Sequence, residues 1–222
     1  MTIKTPKELF GDYAAVIQKS LAHFAGPLHK DEVQDAKVRF FQPLSVPEES
    51  SPQFEMRMSQ FFDWYFFTRS LNGFRQTPLE SLFLTRELRF DPEEIVLIDH
   101  MRHHRHGLFE YVKTKGDTVI FLDLLKNEKL QIVNPNFGFG VESEQIFEAR
   151  LVPNGGNWIF MRGFCFHPQD ARKYILAEVK AHRKDPDLSP QDLMLRLLKM
   201  NMRTEQYKHV SVQKIYSDEA RA

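Results

Sequence analysis

The densest group of side chains that could do chemistry lies in residues 99–106, which hold one aspartate, four histidines and two arginines. On a helix, His100 and His104 would lie one turn apart, a spacing at which two imidazoles can bind one metal ion. A catalytic zinc site normally has three protein ligands, and Met101 replaces the glutamate of an HExxH helix. The run is more typical of a cationic helix end. A metal-dependent enzyme that uses His100 and His104 stays open as a third hypothesis.

The same run supplies a second hypothesis, which is binding of RNA or DNA through the phosphates. Two of its arginines lie close in sequence to two lysines. Phosphate binding usually recruits several converging basic groups, and a small barrel often presents a groove for them. The candidate contacts are Arg102, Arg105, Lys113 and Lys115.

A cysteine nucleophile is a weaker prediction. Cys165 lies two residues before His167, and on a strand the two side chains would share a face. Cys165 has phenylalanine on both sides, however, and apolar surroundings raise the pKa of a thiol and make it less reactive. We therefore expect a buried structural cysteine. The chain also lacks a Gly-x-Ser-x-Gly motif, so the sequence does not favour an enzyme and predicts no cofactor.

The elements that would position these residues begin with helices. Thr5, Thr77 and Asp91 each precede a proline and stand three residues before a glutamate, which is the pattern of a capping box. The apolar spacing predicts a strand over 37–45 and an exposed loop over 46–53. It predicts a central, ring-rich helix and three others. The four predicted helices cover residues 6–25, 54–71, 78–88 and 92–106.

From Leu108 the apolar period changes from three or four residues to alternation, which indicates strands. Gly116, Asn127 and the pair Gly155-Gly156 lie in plausible hairpin turns between the apolar runs. Five short strands suggest a meander that curls into a small barrel, so the predicted fold is α+β with an SH3-like antiparallel unit. The predicted strands cover residues 108–112, 118–123, 130–133, 145–152 and 158–164.

Helices return after His167-Pro168, and Ser189 before Pro190 is a good cap for the second of them. The pattern leaves residues 204–222 open, because residues 205–209 are compatible with a helix, whereas Val210, Val212 and Ile215 are apolar enough for a terminal strand. We expect three consecutive regions packed as one compact unit. They are a mainly helical region (1–107), a small β-barrel-like region (108–166) and a C-terminal helical region (167–222).

Composition limits the function classes. Thirty basic and thirty acidic residues cancel, which argues against general attraction to nucleic acid or anionic membranes. Twenty phenylalanines favour an aromatic core. One cysteine excludes an internal disulfide and a multi-cysteine zinc site. Without an apolar leader or a membrane-length apolar run, we expect a cytoplasmic protein with no membrane partner.

Five short segments occur in a characteristic order, at residues 61–64, 77–80, 107–112, 123–128 and 149–156. In this order they resemble an uncharacterised bacterial protein region sometimes found with SEC-C zinc motifs. The resemblance covers roughly residues 54–165. It implies a helical segment leading into a small barrel, with no established reaction. The cysteine cluster of the SEC-C motif is absent here, so its zinc binding does not transfer.

The leading hypothesis is a non-enzymatic interaction module whose ligand is another protein. It depends on the missing catalytic motifs, the balanced charge and a β unit that more often recognises than catalyses. Aromatic residues next to turns are the natural contacts for such a partner. The candidate contacts are Phe137, Phe139 and Trp158.

Overall fold

The computed structural model describes residues 4–138, 143–185 and 187–217. Helices occupy both ends of the chain, and an antiparallel sheet lies between them along the sequence. The predicted α+β class, an antiparallel sheet flanked by N- and C-terminal helices, is therefore confirmed. Among the described residues, no helix is both long and apolar enough to cross a membrane.

The described residues form two compact units. The first unit comprises residues 4–105, 133–138 and 150–163. The second unit comprises residues 106–132, 143–149 and 164–217, without residue 186. Each unit thus combines separate stretches, whereas the three regions expected from the sequence are consecutive.

Three capping boxes start helices of the first unit, as predicted. The Glu8 carboxylate accepts the Thr5 amide at 2.7 Å, and the Thr5 hydroxyl accepts the Glu8 amide at 3.3 Å. The pairs Thr77–Glu80 and Asp91–Glu94 repeat this arrangement, so each helix start satisfies amides that would otherwise lack acceptors. The helices of this unit are α1 (Pro6–Phe24), α2 (Lys30–Phe41), α3 (Phe54–Phe67), α4 (Pro78–Ser81) and α5 (Pro92–Arg102).

The central helix of the first unit is α3, as its density of rings predicted. Phe61 and Tyr65 are fully buried and stack with ring centroids 5.8 Å apart. Phe40 of α2 meets Phe61 edge to face at 5.6 Å. The Tyr65 hydroxyl donates to the carbonyl of Phe24, the last residue of α1, at 2.8 Å. Large rings in defined geometries and one buried hydrogen bond therefore fix α3 against its neighbours.

The sheet has the strand order β3-β2-β1-β4-β5, and β6 also pairs with β4. Residues 146–149 of β4 belong to the second unit and residues 150–154 to the first. β3 and β5 are the outer strands of this order, yet the Asn157 side chain accepts the Val133 amide at 3.1 Å and donates to the Val133 carbonyl at 2.8 Å. The sheet is therefore curled. Its strands are β1 (Arg105–Lys115), β2 (Thr118–Asp123), β3 (Glu128–Val133), β4 (Ile146–Asn154), β5 (Asn157–Phe160) and β6 (Cys165–Phe166).

The second unit has a mainly aliphatic core, and its helices supply most of the side chains. Ile175 and Val179 pack with Leu193, Met194 and Leu197 in one buried cluster. Their three- and four-residue spacing gives each helix one apolar face. The helices of this unit are α6 (Arg172–Lys184), α7 (Pro190–Gln206) and α8 (Val212–Ile215).

Six predictions about where elements lie or end are wrong. The helix expected over 54–71 ends at Phe67, and the strand expected over 158–164 ends at Phe160. Residues 37–45 were expected as a strand but lie largely in α2, where Ala36 and Phe40 are buried one turn apart. The helix expected over 78–88 ends at Ser81. Phe83 and Leu84 are exposed, so nothing packs against a further turn.

The other two corrections concern α5 and the C-terminus. α5 ends at Arg102 instead of reaching residue 106, because Arg105 already begins β1. Residues 212–215 form a short helix in place of the terminal strand, and the Ser211 hydroxyl accepts the Lys214 amide as its cap.

Candidate functional site

A groove of about 870 Å³ lies in the first unit between α1 and α3. Its lining is mainly apolar, and Met161 and Arg162, which follow β5, complete it. The volume is within the range of about 300–1,000 Å³ that is typical of ligand pockets. The groove is therefore the candidate functional site.

Small residues form the wall that α1 contributes. Gly11, Ala14, Ala15 and Ala22 line the groove at separations of three, four and eleven residues, which places them on one face of the helix. Gly11, Ala15 and Ala22 are exposed, and a Cβ added at Gly11 would meet no atom within 4 Å. Another chain can therefore approach the backbone of α1 closely along this face.

The wall that α3 contributes is made of larger side chains. Phe54 and Phe62 are half-buried, whereas Met58 and Phe67 are buried. All four line the groove. The groove therefore has small residues on the α1 side and large apolar side chains on the α3 side. This combination suits an apolar ligand whose side chains pack between those of α3.

One buried carboxylate interrupts the apolar lining. The Asp63 side chain is 9% exposed, and its Oδ2 accepts from Nε of Arg150 at 2.8 Å. Arg150 is 1% exposed and also donates to the Thr68 hydroxyl at 2.9 Å. Burial raises the pKa of Asp63, and the Arg150 guanidinium opposes that rise. The opposite charges of Asp63 and Arg150 therefore attract each other in a site that is largely shielded from solvent.

Two neighbours pack tightly around this ion pair. The Arg150 guanidinium lies 4.6 Å from the centroid of the Phe67 ring, a cation–π contact. A Cβ added at Gly163 would stand 2.7 Å from Cβ of Asp63, so glycine is needed where the chain passes that side chain. Phe67 thus packs against the arginine of the pair, and the backbone at Gly163 packs against the aspartate.

His104 is neutral beside the same guanidinium. Its Nδ1 lies 2.9 Å from the Met101 carbonyl and therefore carries the proton that it donates. Burial is the main cause that lowers the pKa of His104 to about 3, and the positive charge of Arg150 adds to it. His104 packs edge to face on Phe67 at 5.1 Å. An uncharged imidazole thus supports the ion pair without competing for Asp63.

Two charged side chains of opposite sign line the groove. Within the described part of the chain, neither Arg162 nor Glu55 forms an ion pair. Arg162 lies over the Phe10 ring at 5.4 Å and precedes Gly163, which touches Asp63. Besides Asp63, the groove lining therefore carries one charged side chain of each sign.

The chain was compared with known families once this geometry was established. A model described as "Family of unknown function (DUF7986)" matches residues 28–214. The chain belongs to this family. Searches of curated proteins and of solved structures found no match. The comparisons show no link to SEC-C proteins. The matched residues include α3, Asp63 and Arg150, whereas α1 precedes them.

One predicted partner contact of this DUF7986 member packs on a residue that lines the groove. Phe137 packs edge to face on Phe10 with ring centroids 5.0 Å apart. Trp158 is half-buried in β5 and does not line the groove. Phe139 lies outside the described residues. Phe137 thus touches a residue that lines the groove.

The predicted metal ligands have separate partners. His100 Nδ1 lies 2.9 Å from the Tyr13 hydroxyl, and His104 stands beyond the end of α5. The described residues contain no group of three or more histidines, cysteines, aspartates or glutamates placed to hold a metal ion. Metal binding by His100 and His104 stays a prediction that elemental analysis of untagged protein would check.

The predicted phosphate contacts are spread along the chain. Arg102 ends α5 and Arg105 begins β1, whereas Lys113 and Lys115 lie at the other end of that strand. Lys113 and Lys115 are two residues apart and share one face of β1. Nucleic-acid binding stays a prediction, and a steep loss of RNA or DNA affinity with rising salt would support it.

Cys165 and His167 are both 2% exposed. His167 Nδ1 lies 2.9 Å from the Tyr216 hydroxyl in the second unit. The expectation of a buried cysteine is therefore confirmed.

Sequence reasoning missed the groove and the ion pair at its wall. Asp63 and Arg150 are 87 residues apart, so no local pattern links them. One signal was present. The small residues of α1 recur on one helical face, between the larger residues that form the buried face.

Proposed function

We propose that this DUF7986 member is a non-enzymatic recognition module that binds an amphipathic helix of another protein in the groove between α1 and α3. The exposed face of small residues on α1 is the observation that carries the proposal. Close backbone approach at such a face favours a second helix, whose apolar side chains would enter the space beside α3. Each buried leucine contributes about 1.5–3 kcal/mol.

Charge complementarity supports a protein helix of defined direction. The partner helix would place an acidic residue near Arg162 and a basic residue near Glu55. The partner is therefore an amphipathic helix with an apolar stripe and one charge of each sign.

The residues predicted from the sequence extend this proposal. Phe137 would contact the partner beside Phe10, and its replacement by alanine should weaken binding with little change in melting temperature. Phe139 and Trp158 remain proposed contacts of the same kind. The SH3-like character of the sheet also belongs to this proposal. So does a cytoplasmic location, since one buried cysteine needs no oxidising compartment.

Selection from a displayed library of 16-residue peptides tests the proposal directly. The full chain serves as the bait. Enriched peptides should show apolar residues at three- and four-residue spacing, become helical when bound and have micromolar dissociation constants. Ala15→Arg should weaken them at least about tenfold, because it places a long charged side chain on the approach face.

Ala177→Arg is the matched control, because Ala177 is an exposed alanine on α6 of the second unit. It should leave peptide affinity unchanged. Peptides without helical periodicity, or equal effects of the two substitutions, would count against the groove as the binding site.

A further inference from the structure

The carboxylate of Asp63 has one oxygen that accepts no hydrogen bond from the described residues. Oδ2 accepts from Arg150, whereas no described residue donates to Oδ1. The side chain is 9% exposed and lines the groove. A ligand that covers this nearly buried oxygen excludes water from it. The ligand must then donate a hydrogen bond to the oxygen, or binding loses free energy because the oxygen is left unpaired.

The arrangement around Asp63 favours a neutral hydrogen-bond donor. Arg150 already balances the charge of the carboxylate, so a second cation is not needed there. An amide or hydroxyl can donate without adding a buried charge. An acceptor such as a second carboxylate would meet Oδ1 with repulsion.

We propose that Asp63 is the specificity-determining residue of the groove and selects partner helices that carry a neutral donor, such as glutamine, within their apolar stripe. This inference depends on the proposed function, since it names the chemistry of the helix that occupies the same groove. Asp63 reads the donor through Oδ1, while Arg150, Gly163 and Phe67 hold the carboxylate in place. The apolar contacts supply affinity and the single polar contact supplies discrimination.

An isosteric peptide pair provides the test. The tightest library peptide is prepared with glutamine or glutamate at the stripe position nearest Asp63. The unmodified protein should prefer glutamine by at least about tenfold, the size expected when a buried hydrogen bond to a charged group is lost. In Asp63→Asn the amide oxygen can accept from Arg150 and the amide nitrogen faces the groove, so the preference should disappear or reverse.

A third peptide keeps the proposal testable if Asp63→Asn unfolds the protein. Its glutamine carries two methyl groups on the side-chain nitrogen, which removes the donor and keeps the carbonyl. The unmodified protein should bind it at least about tenfold more weakly than the glutamine peptide. Equal affinity for glutamine and glutamate peptides, or no loss on methylation, would overturn the role of Asp63. If Ala15→Arg still abolishes binding in that case, the proposed function stands and only this inference fails.

Discussion

The pair α1 and α3 in the first unit differs from the pair α6 and α7 in the second unit in how the space beside the helices is used. Ile175 and Val179 of α6 and Leu193 and Leu197 of α7 are all buried in one cluster. Between α1 and α3, small residues on one side leave a groove. Both pairs have amphipathic sequences, but interiors normally pack without gaps. The open groove between α1 and α3 is therefore a better candidate binding site than the packed interface between α6 and α7.

The two units also differ in their arginine–carboxylate pairs. Arg150 and Asp63 have side chains that are 1% and 9% exposed. Arg196 of α7, which pairs with Glu178 and donates to the Tyr174 hydroxyl at 2.9 Å, is 31% exposed. A buried charge that loses its partner is strongly destabilising, whereas a pair whose arginine is partly solvated contributes less. Replacing the arginine by methionine should therefore lower the free energy of unfolding more in the first pair than in the second.

The largest effect is expected from Arg150→Met. It should lower the free energy of unfolding by about 3–5 kcal/mol, because the carboxylate of Asp63 is left buried and unpaired. Loss of the guanidinium raises the pKa of Asp63 further. A carboxyl with a raised folded-state pKa is destabilising above that pKa, so the deficit should shrink as the pH falls. Urea unfolding at several pH values measures both effects.

Arg196→Met is the matched control for that prediction and should cost about 1 kcal/mol or less. If the two substitutions cost the same, or if the Arg150→Met deficit grows on acidification, the contrast between the two ion pairs is wrong.

A smaller effect separates the two helix pairs. Ala171 is fully buried in the core of the second unit, so Ala171→Leu should cost roughly 1–3 kcal/mol through overpacking. Ala15 is exposed beside the groove, and Ala15→Leu should change stability by about 0.5 kcal/mol or less. Thermal and urea unfolding of both variants check this. A cost above roughly 1 kcal/mol for Ala15→Leu would indicate that the wall is already packed.

The smallest effect comes from His104. Its pKa is lowered to about 3, so the unfolded chain binds a proton on acidification before the folded chain does. Stability should fall by roughly 1 kcal/mol per pH unit below about pH 6.5. Asp63 contributes with the opposite sign, so the comparison needs His104→Asn, which keeps a donor for the Met101 carbonyl. The unfolding free energy of the unmodified protein relative to that of His104→Asn should therefore fall as the pH is lowered from 7 to 5. Parallel curves would contradict this prediction.

Local chemistry was predictable in several places. Thr5, Thr77 and Asp91 start helices because each satisfies amides within its own first turn. β2 occupies the predicted residues, since alternation and tight turns act over a few positions. α2 was mispredicted because Phe40 and Phe41 are compatible with a strand until Phe61 is known to pack against them. Among the predicted site residues, Phe137 contacts the groove residue Phe10. Asp63, Arg150 and Arg162 were not predicted, because a single charged residue has no local sequence pattern that marks it as part of a site.

The sequence by itself determined where most helices and strands begin, how the α+β order runs along the chain and which faces are apolar. These properties depend on neighbours within a turn or a hairpin, so a short window contains their cause. The tertiary structure alone decided that Asp63 meets Arg150 across 87 residues and that the small face of α1 stays open. Both depend on burial and on distant partners, because a carboxylate or an alanine has no functional character until its surroundings are defined.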